Sequence, residues 1–210
     1  MSKTLPQPKP ARQKRSEETL ARILKGTMEA LKEKDLDEIG VDDIARAAGL
    51  TTGSIYSRFK GKEELLGFLL HSVQEKQLIE LQSLLDERQW AGKGLEARID
   101  WLVDQTRASA LAYPGVVRAL FGRQMKTEAA CDPEVVRRSN ESVDLICAWL
   151  ITCADEMTVP NREEAVRTTV CVLASSVHLA MLYPGAYPGV HDEAAVLHLR
   201  QMALAYLKSG

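Results

Sequence analysis

Hydroxyl-bearing and cationic residues between positions 51 and 62 have the clearest chemistry in this sequence. The stretch contains no Asp or Glu, and its side chains are of the types that hydrogen-bond phosphates and the edges of bases. The alternative is an ordinary solvated surface, since polar helical faces are usually only hydrated. The candidate contact residues are Thr51, Thr52, Gly53, Ser54, Tyr56, Ser57, Arg58, Lys60 and Lys62.

Two short helices joined at a glycine are predicted to position these side chains. The apolar residues of the first helix recur at i, i+3, i+4 and i+7, namely Val41, Ile44, Ala45 and Ala48. Gly49 follows at once, and glycine readily takes the left-handed conformation that ends a helix. Thr51 or Thr52 can cap a second helix that buries Ile55 and Phe59. The pattern predicts a helix-turn-helix, which is a DNA-reading unit.

A third helix is predicted before this pair, from Ser16 to about Lys34. Its apolar stripe comprises Leu20, Ile23, Leu24 and Leu31. Residues 1–15 hold three prolines and five cations, which predicts a flexible basic arm. Two interpretations of the arm stay open: simple disorder, or insertion into a neighbouring minor groove.

The motif in residues 43–66 resembles the N-terminal domain of the tetracycline-repressor (TetR) family of bacterial transcriptional regulators. The matching residues are Asp43-Ile44-Ala45, Ala48-Gly49, Gly53-Ser54-Ile55-Tyr56, Phe59 and Lys62-Glu63-Glu64-Leu65-Leu66. Two positions depart from the family pattern. Gly40 stands where a Ser or Thr commonly caps the helix and contacts a phosphate, and Arg58 stands where His is frequent. The resemblance implies a double-stranded DNA operator, a small-molecule effector and a homodimer.

The charge distribution agrees with a DNA-binding end. The net charge of the 210 residues is only -2, but residues 1–62 hold 13 Lys and Arg against 9 Asp and Glu, while residues 63–210 hold 14 against 20. The cation excess therefore lies with the predicted helix-turn-helix. The N-terminus lacks the apolar core of a signal peptide, which favours a cytoplasmic protein. The spacing of Cys131, Cys147, Cys153 and Cys171 matches no metal or redox motif and predicts buried, reduced thiols.

The pattern after Lys62 stays helical to the end of the chain, so we predict an all-α fold. Three regions follow: the arm at 1–15, the DNA-binding domain at 16–62 and a ligand-binding and dimerisation domain at 63–210. Predicted helices after the turn span Lys62 to about Gln89, Leu95 to about Ala112, Val116 to about Lys126, Pro133 to about Glu156, Arg162 to Tyr183 and Asp192 to about Lys208.

The last two helices carry more apolar surface than one core requires. In residues 162–183, one face holds Val166, Val170, Leu173, Val177 and Met181, and a second holds Thr168, Val172, Ser175 and Leu179. A helix that is apolar on two sides requires two partners. We interpret the second partner as the same helix pair of another subunit, in agreement with the resemblance. A thick single-chain core is the alternative.

Large, polarizable or hydrogen-bonding side chains on the middle helices are candidates for an effector site. By the resemblance, these helices surround a ligand cavity. Each residue alone is more often a core residue. Arg107 would favour an anionic effector, and the Trp pair a flat aromatic one. The candidates are Trp101, Arg107, Tyr113, Phe121, Met125, Trp149, Cys153, His178 and Met181.

Catalytic, metal and membrane functions have little support in the sequence. The paired carboxylates are adjacent residues that diverge by roughly 100° on a helix, so they cannot converge on one substrate atom. His191 and His198 are too far apart to share a metal without further ligands. Pro184 and Gly185 interrupt the uncharged stretch 168–190 too early for a membrane span. We expect no enzyme, cofactor or metal.

The sequence favours a ligand-responsive DNA-binding regulator, most simply a repressor released from a palindromic operator by its effector. Two rivals stay open. One is a ligand-binding or interaction protein that keeps the helical fold without the DNA role, and the other is a small helical enzyme. Salt-dependent binding to DNA separates the first rival from the favoured interpretation.

Overall fold

Helices account for all the regular secondary structure in the residues that the structure describes. This computed structural model describes residues 10–34, 38–118, 133–183, 185, 187 and 191–210. The all-α prediction is therefore confirmed. The chain forms two compact units, Met1–Leu69 and Leu70–Gly210.

The first unit contains a three-helix arrangement around the glycine turn. Its helices are α1 (Pro10–Glu33), α2 (Val41–Ala48), α3 (Thr52–Tyr56) and the first turns of α4 (Lys62–Leu84). Helix α2 packs on both α1 and α3. The core of this unit is aliphatic, and its fully buried residues include Ile23, Leu31, Ile44, Ile55 and Leu65. The predicted stripes therefore face the interior.

Helix α1 begins at Pro10, six residues before the start predicted at Ser16. Residues 10–15, assigned to the arm by the sequence, are thus helical, while residues 1–9 lie outside the described residues. Proline is favoured at the first position of a helix because the missing N–H has no intrahelical partner there. Ala, Arg, Gln and Lys then follow, all of which have high helix propensity. Composition alone made this segment resemble a linker.

The second unit is built around one central helix. Its elements are α5 (Glu87–Trp90), α6 (Leu95–Ala112), a helical segment at 114–118, α7 (Pro133–Ile151), a 3₁₀ turn (Ala154–Glu156), α8 (Arg162–Leu182) and α9 (Glu193–Leu207). Helix α8 contacts α6, α7 and α9. Its buried side chains Val166, Val170 and Leu173 belong to the main core of the unit.

Two predicted helix ends were wrong. The helix predicted to reach Gln89 ends at Leu84, because Asp86 accepts the Arg88 N–H and caps the new helix α5. The Arg88 side chain also bonds this carboxylate and lowers the pKa of Asp86 to about 2. The helix predicted to reach Glu156 ends at Ile151 and is followed by the 3₁₀ turn. By contrast, Asp192 caps α9 as predicted.

The prediction that the cysteines are buried holds only in part. Cys153 is buried, Cys147 is half-buried and Cys171 is exposed, while Cys131 lies outside the described residues. Burial raises the pKa of the Cys147 and Cys153 thiols. Cys171 is exposed because it lies on the side of α8 that faces away from the core, next to the half-exposed Val172.

Helix α8 has the two-sided character that the sequence predicts. The face that includes Val166, Val170 and Leu173 is buried, whereas Thr168, Val172 and Ser175 are exposed. By length and composition, α8 is also the one described helix apolar enough to cross a membrane. Its packing against three neighbouring helices is typical of the core helix of a globular protein, so this one helix does not indicate a membrane protein.

Candidate nucleic-acid interface

The turn between α2 and α3 is closed by a left-handed glycine. Gly49 has φ 62°, and its N–H donates to the Arg46 carbonyl at 3.1 Å. The Leu50 N–H donates to the Ala45 carbonyl at 2.9 Å. These two bonds end α2 in the manner of a Schellman motif, which a side chain with a Cβ would strain. The predicted role of Gly49 is confirmed.

The N-terminus of α2 is capped without a hydroxyl. The Asp43 carboxylate accepts the Gly40 N–H at 3.1 Å, half of a capping box. Lys34 and Arg46 flank the same carboxylate at 3.1 and 3.3 Å. The Gly40 N–H, then Lys34, hold the pKa of Asp43 below its ordinary value. Asp43 therefore supplies the reciprocal bond of a capping box, whereas Gly40 has no side chain that could accept an N–H from the first turn of α2.

Helix α1 fixes α2 through a very close contact and a side-chain clamp. A Cβ on Gly26 would lie 2.6 Å from the backbone nitrogen of Ala48, so only glycine allows this approach. One turn earlier, the Arg22 guanidinium donates to the carbonyl oxygens of Ala48 and Gly49. Neither Gly26 nor Arg22 has a sequence signal that marks it as part of the site.

Helix α3 presents a polar face above two buried anchors. Ile55 and Phe59 are 0% and 6% exposed, as the spacing predicts. Tyr56 is 57% exposed, which leaves most of its ring in solvent. Thr51 caps the helix by accepting the Ser54 N–H. A short helix with an outward tyrosine and a hydroxyl cap is thus held rigidly against the core.

Not all of the predicted contact residues are fully exposed. Thr51, Gly53, Tyr56, Ser57 and Lys60 are exposed, whereas Thr52, Ser54, Arg58 and Lys62 are half-buried. Three of the hydroxyls are used locally, since the side-chain oxygens of Thr51 and Ser54 are 2.9 Å apart and the Ser57 hydroxyl donates to the Ser54 carbonyl.

Arg58 is tied to the first helix. Its Nη1 donates to Ser16 Oγ at 3.1 Å, which fixes one end of a group with five N–H donors. The guanidinium is therefore partly ordered before any ligand arrives. Ser16, which was predicted to begin this helix, instead lies within α1 and accepts the hydrogen bond that orients Arg58.

Lys60 and Lys62 flank the start of α4. The Lys60 backbone N–H donates to the Glu64 carboxylate at 2.6 Å. Glu63 and Glu64 lie in the first turn of α4, where acidic residues favour the helix dipole. These adjacent carboxylates have a structural role, in agreement with the sequence analysis.

The effector candidates Trp101 and Trp149 lie in an aromatic cluster with Trp90. The three indole rings are 4.7 to 5.3 Å apart and meet edge to face. Trp149 is 4% exposed, and its Nε1 has no hydrogen-bond partner among the described residues. Cys153 belongs to the same core. These side chains therefore form part of the packed interior.

The other described candidates lie elsewhere in the second unit. Arg107 donates to the Glu193 carboxylate at 2.6 Å, which joins α6 to α9. Met181 packs against a second small apolar cluster that includes Val117 and Val177. Burial lowers the pKa of the neighbouring His178, so its neutral form is favoured. Tyr113 is half-buried at the end of α6, while Phe121 and Met125 lie outside the described residues.

A surface groove that the sequence did not predict runs between α4 and α7. It encloses about 410 Å³, and none of the predicted effector residues lines it. Its lining residues are Leu78, Gln82, Glu141, Asp144, Leu145 and Ala148. Within the described parts of the chain, no three His, Cys, Asp or Glu side chains are grouped as metal ligands.

Both units match models of one protein family. Residues 23–67 match the model of bacterial regulatory proteins of the tetR family, and residues 94–207 match that of the tetracyclin repressor-like C-terminal domain. The second match alone covers more than half of the chain. The chain belongs to the TetR family. Proteins of this family are DNA-binding transcriptional regulators.

Similar proteins agree with this assignment. The HTH-type transcriptional regulator SrpR of Pseudomonas putida is 37% identical over 78 residues, which is 36% of each protein. Residues 1–210 thus match only about a third of the length of that curated relative. The family and its structural neighbours are transcription regulators rather than enzymes.

Solved structures of other TetR-type regulators share the fold. The fatty acid degradation regulator FadR of Bacillus halodurans has a TM-score of 0.65 at 18% identity, covering 95% of this chain and 97% of its own. FadR of Bacillus subtilis, in complex with stearoyl-CoA, has a TM-score of 0.56 at 15% identity, with 90% and 98% covered. A putative TetR-family regulator of Rhodococcus sp. has a TM-score of 0.65 at 19% identity, with 91% and 100% covered.

Proposed function

We propose that this TetR-family regulator is a cytoplasmic, dimeric repressor that a small-molecule effector releases from a palindromic operator. The observation that carries the proposal is the solvent-facing side of α3, where Tyr56 is 57% exposed above the buried anchor Ile55. A helix of five residues offers few base contacts. Two copies, held about 34 to 36 Å apart, would read both halves of a palindrome.

The residues of this face are assigned two different roles. We expect Tyr56 and Lys62 to contact the sugar-phosphate backbone, together with Thr51, Gly53, Ser54, Ser57 and Lys60. Arg58 and Thr52 are expected to contact base edges, because an arginine that is already oriented can bond a guanine with two donors. The bond from Ser16 to Arg58 supports this second role, since it reduces the rotamer freedom lost on binding.

Substitutions on this face test the two roles. Tyr56→Ala and Lys62→Ala should weaken binding to every duplex, and Lys62→Ala should reduce the slope of log affinity against log salt by about 1. Arg58→Ala or Thr52→Ala should change the preferred sequence. The measurement is a salt titration on selected and random duplexes, with Lys76→Ala on the exposed side of α4 as the charge control. Unchanged affinity in the Tyr56 and Lys62 variants would contradict the proposed interface.

The dimer is proposed to form through α8 and α9. Both helices have large apolar side chains in solvent, including Val172 at 49%, Leu197 at 50% and Met202 at 63% exposed. Exposed apolar side chains concentrated on two adjacent helices are typical of a protein–protein interface. This location agrees with the dimer expected from the sequence.

A charge placed on α9 should disrupt the dimer. We expect Met202→Glu to weaken association about 100-fold or more, because an unpaired carboxylate would be buried between the subunits. Ile79→Glu is the matched control, since Ile79 is 61% exposed but lies on α4. Sedimentation velocity from nanomolar to micromolar concentration measures both variants. A stable monomer of the unaltered protein at micromolar concentration would refute the dimer.

The effector is proposed to act on the second unit and to shift α4. This helix is continuous from the last residues of the first unit into the second. Arg138 on α7 donates to the His71 carbonyl at 2.9 Å, and Gln74 donates to Val135 and Ser139 on α7. A ligand that favours one position of α7 over another would therefore move α4 as well.

The search for the effector is guided by the ligand of one protein of the same fold and by the surroundings of the candidate residues. FadR of Bacillus subtilis was crystallised with stearoyl-CoA, which supports a small-molecule effector for a regulator of this fold. Tyr113, His178 and Met181 remain our candidates, because they lie at or near the small apolar cluster. Trp101, Trp149 and Arg107 are less suited, since the structure uses them in core and interhelical contacts. Native mass spectrometry of the purified protein is the direct search for a bound small molecule.

A further inference from the structure

One arginine of α1, Arg22, donates hydrogen bonds to backbone carbonyl groups at the turn between α2 and α3. Arg22 Nε and Nη2 lie 3.2 and 3.0 Å from the Ala48 oxygen, and Nη2 lies 2.5 Å from the Gly49 oxygen. Arg22 is 26 and 27 residues away from these partners in the chain. The three contacts are therefore tertiary, and they end on Ala48, the last residue of α2, and on Gly49, which begins the turn to α3.

These carbonyls are the groups that a helix end leaves without intrahelical partners. The N–H groups of Gly49 and Leu50 satisfy the carbonyls of Arg46 and Ala45, one turn further back. The Ala48 and Gly49 carbonyls fall beyond that cap. A guanidinium suits them because it offers several donors in a fixed plane and places a cation at the negative end of the helix dipole.

The contact also has a rigid base. Gly26, one turn after Arg22 on α1, touches the backbone of Ala48 so closely that a Cβ would not fit. The bonds from Arg22 and the contact at Gly26 thus hold the same residue of α2 from one helix. Thr51, the N-cap of α3, follows Gly49 by only two residues, so the position of these carbonyls determines where α3 starts.

We propose that Arg22 is a positioning residue for operator recognition, which fixes the turn and thereby the direction of α3. This inference rests on the proposed function. The rival role is a direct phosphate contact, because Arg22 is also accessible to solvent. The two roles differ in a measurable way, since losing a phosphate contact lowers the salt dependence of binding and losing a positioning contact does not.

The test compares Arg22→Gln and Arg22→Lys with the control Lys25→Gln, which removes an exposed cation from the same helix. Hydrogen exchange of the amides of residues 49–51 measures the turn in the absence of DNA. Salt titrations on a duplex selected by the unaltered protein, and on a random duplex, measure recognition. Lys25→Gln should leave the exchange rates unchanged.

The expected result is specific to the turn. Arg22→Gln should raise exchange at residues 49–51 about tenfold and lower affinity for the selected duplex about tenfold. Its affinity for the random duplex should stay within about threefold, and the salt slope should be unchanged. Arg22→Lys should restore part of the protection, because a lysine can bond one carbonyl at a time.

Two results would overturn the inference. Exchange rates in Arg22→Gln equal to those of the unaltered protein would mean that the bonds do not hold the turn. Parallel losses on both duplexes, with a salt slope lower by about 1, would assign Arg22 to a phosphate. Failure of the unaltered protein to bind any duplex would refute the proposed function. The role of Arg22 in the turn would still be decided by hydrogen exchange, because that measurement needs no DNA.

Discussion

Gly26→Ala should loosen the DNA-binding unit and remove most operator affinity. The new Cβ would lie 2.6, 2.7 and 2.8 Å from the N, Cβ and Cα atoms of Ala48, so α1 and α2 would have to separate. Overpacking of this kind costs about 1–3 kcal/mol. Because α3 follows directly from α2, we also expect affinity for a selected duplex to fall about tenfold or more. Hydrogen exchange of α1 and α2, with duplex titration, measures both effects.

Gly67→Ala is the matched control in the same unit. Gly67 lies inside α4, and nothing lies within 4 Å of the Cβ that alanine would add. Since alanine is the better helix former, this change should stabilise the unit by about 0.5–1 kcal/mol. The two variants are expected to change the stability of the unit in opposite directions, which separates the clash at Gly26 from any general effect of alanine. Equal stability of the two variants would contradict the close contact between α1 and α2.

Arg98→Met should lower the free energy of unfolding of the second unit by about 2–3 kcal/mol. Arg98 is 4% exposed and bonds Glu87 twice, at 2.8 and 2.9 Å, as well as the Trp149 carbonyl at 2.7 Å. Its guanidinium also lies 4.9 Å from the Trp149 ring. Methionine keeps the apolar stem and removes only the charge and donors. A loss below about 0.5 kcal/mol would contradict the role of this cluster.

Tryptophan fluorescence during urea unfolding measures that loss. The chain has three tryptophans, and all of them meet at this site, so the signal reports the second unit. Glu87→Gln is the control that keeps Arg98 in place. Because the Glu87 side chain is 53% exposed, water screens its ion pair, and we expect a loss below about 1 kcal/mol.

The Arg98–Glu87 ion pair makes the stability of the protein depend on pH in a direction that can be predicted. The hydrogen bonds from Arg98 hold the pKa of the Glu87 carboxyl below its ordinary value of 4.5. Its contribution to stability is therefore fully present above about pH 4.5 and is lost as the pH falls through the lowered value. The stability difference between the unaltered protein and Glu87→Gln should shrink below pH 4.5. A difference that is constant from pH 7 to pH 3 would contradict this linkage.

The elements that the sequence predicted well are those with local signals. The apolar spacing of α2, the glycine at position 49 and the proline and aspartate at helix starts each act within a few residues, so their consequences are visible in the sequence. Arg22 and Arg98 have no such signal, because their partners lie 26 and 51 residues away. Arg98 shares the core face of Leu95, Ile99 and Leu102, and a cation on that face was the available hint.

For residues 10–15, the amino-acid composition was a poorer guide to structure than the helix propensity of the individual residues. Pro10 and the basic residues after it were interpreted as a flexible arm, although Ala, Arg, Gln and Lys favour a helix once proline has started it. The effector candidates rest on residue type and on helices that, by the family resemblance, surround a ligand cavity. Among the described candidates, Trp101 and Trp149 lie in a tryptophan cluster, Arg107 in an ion pair and Met181 beside a small apolar cluster, because residue type does not determine which side of a helix faces a cavity.

Selection of duplexes from a random-sequence pool by the purified full-length protein tests the central claim most directly. The account predicts enrichment of a palindrome whose half-site centres lie about 10 base pairs, or a multiple of that, apart. Tyr56→Ala and Lys62→Ala should each reduce the recovered duplex sharply. Two results would contradict the claim that the exposed face of α3 binds DNA in two copies: enrichment of no sequence, or recovery by both variants equal to that of the unaltered protein.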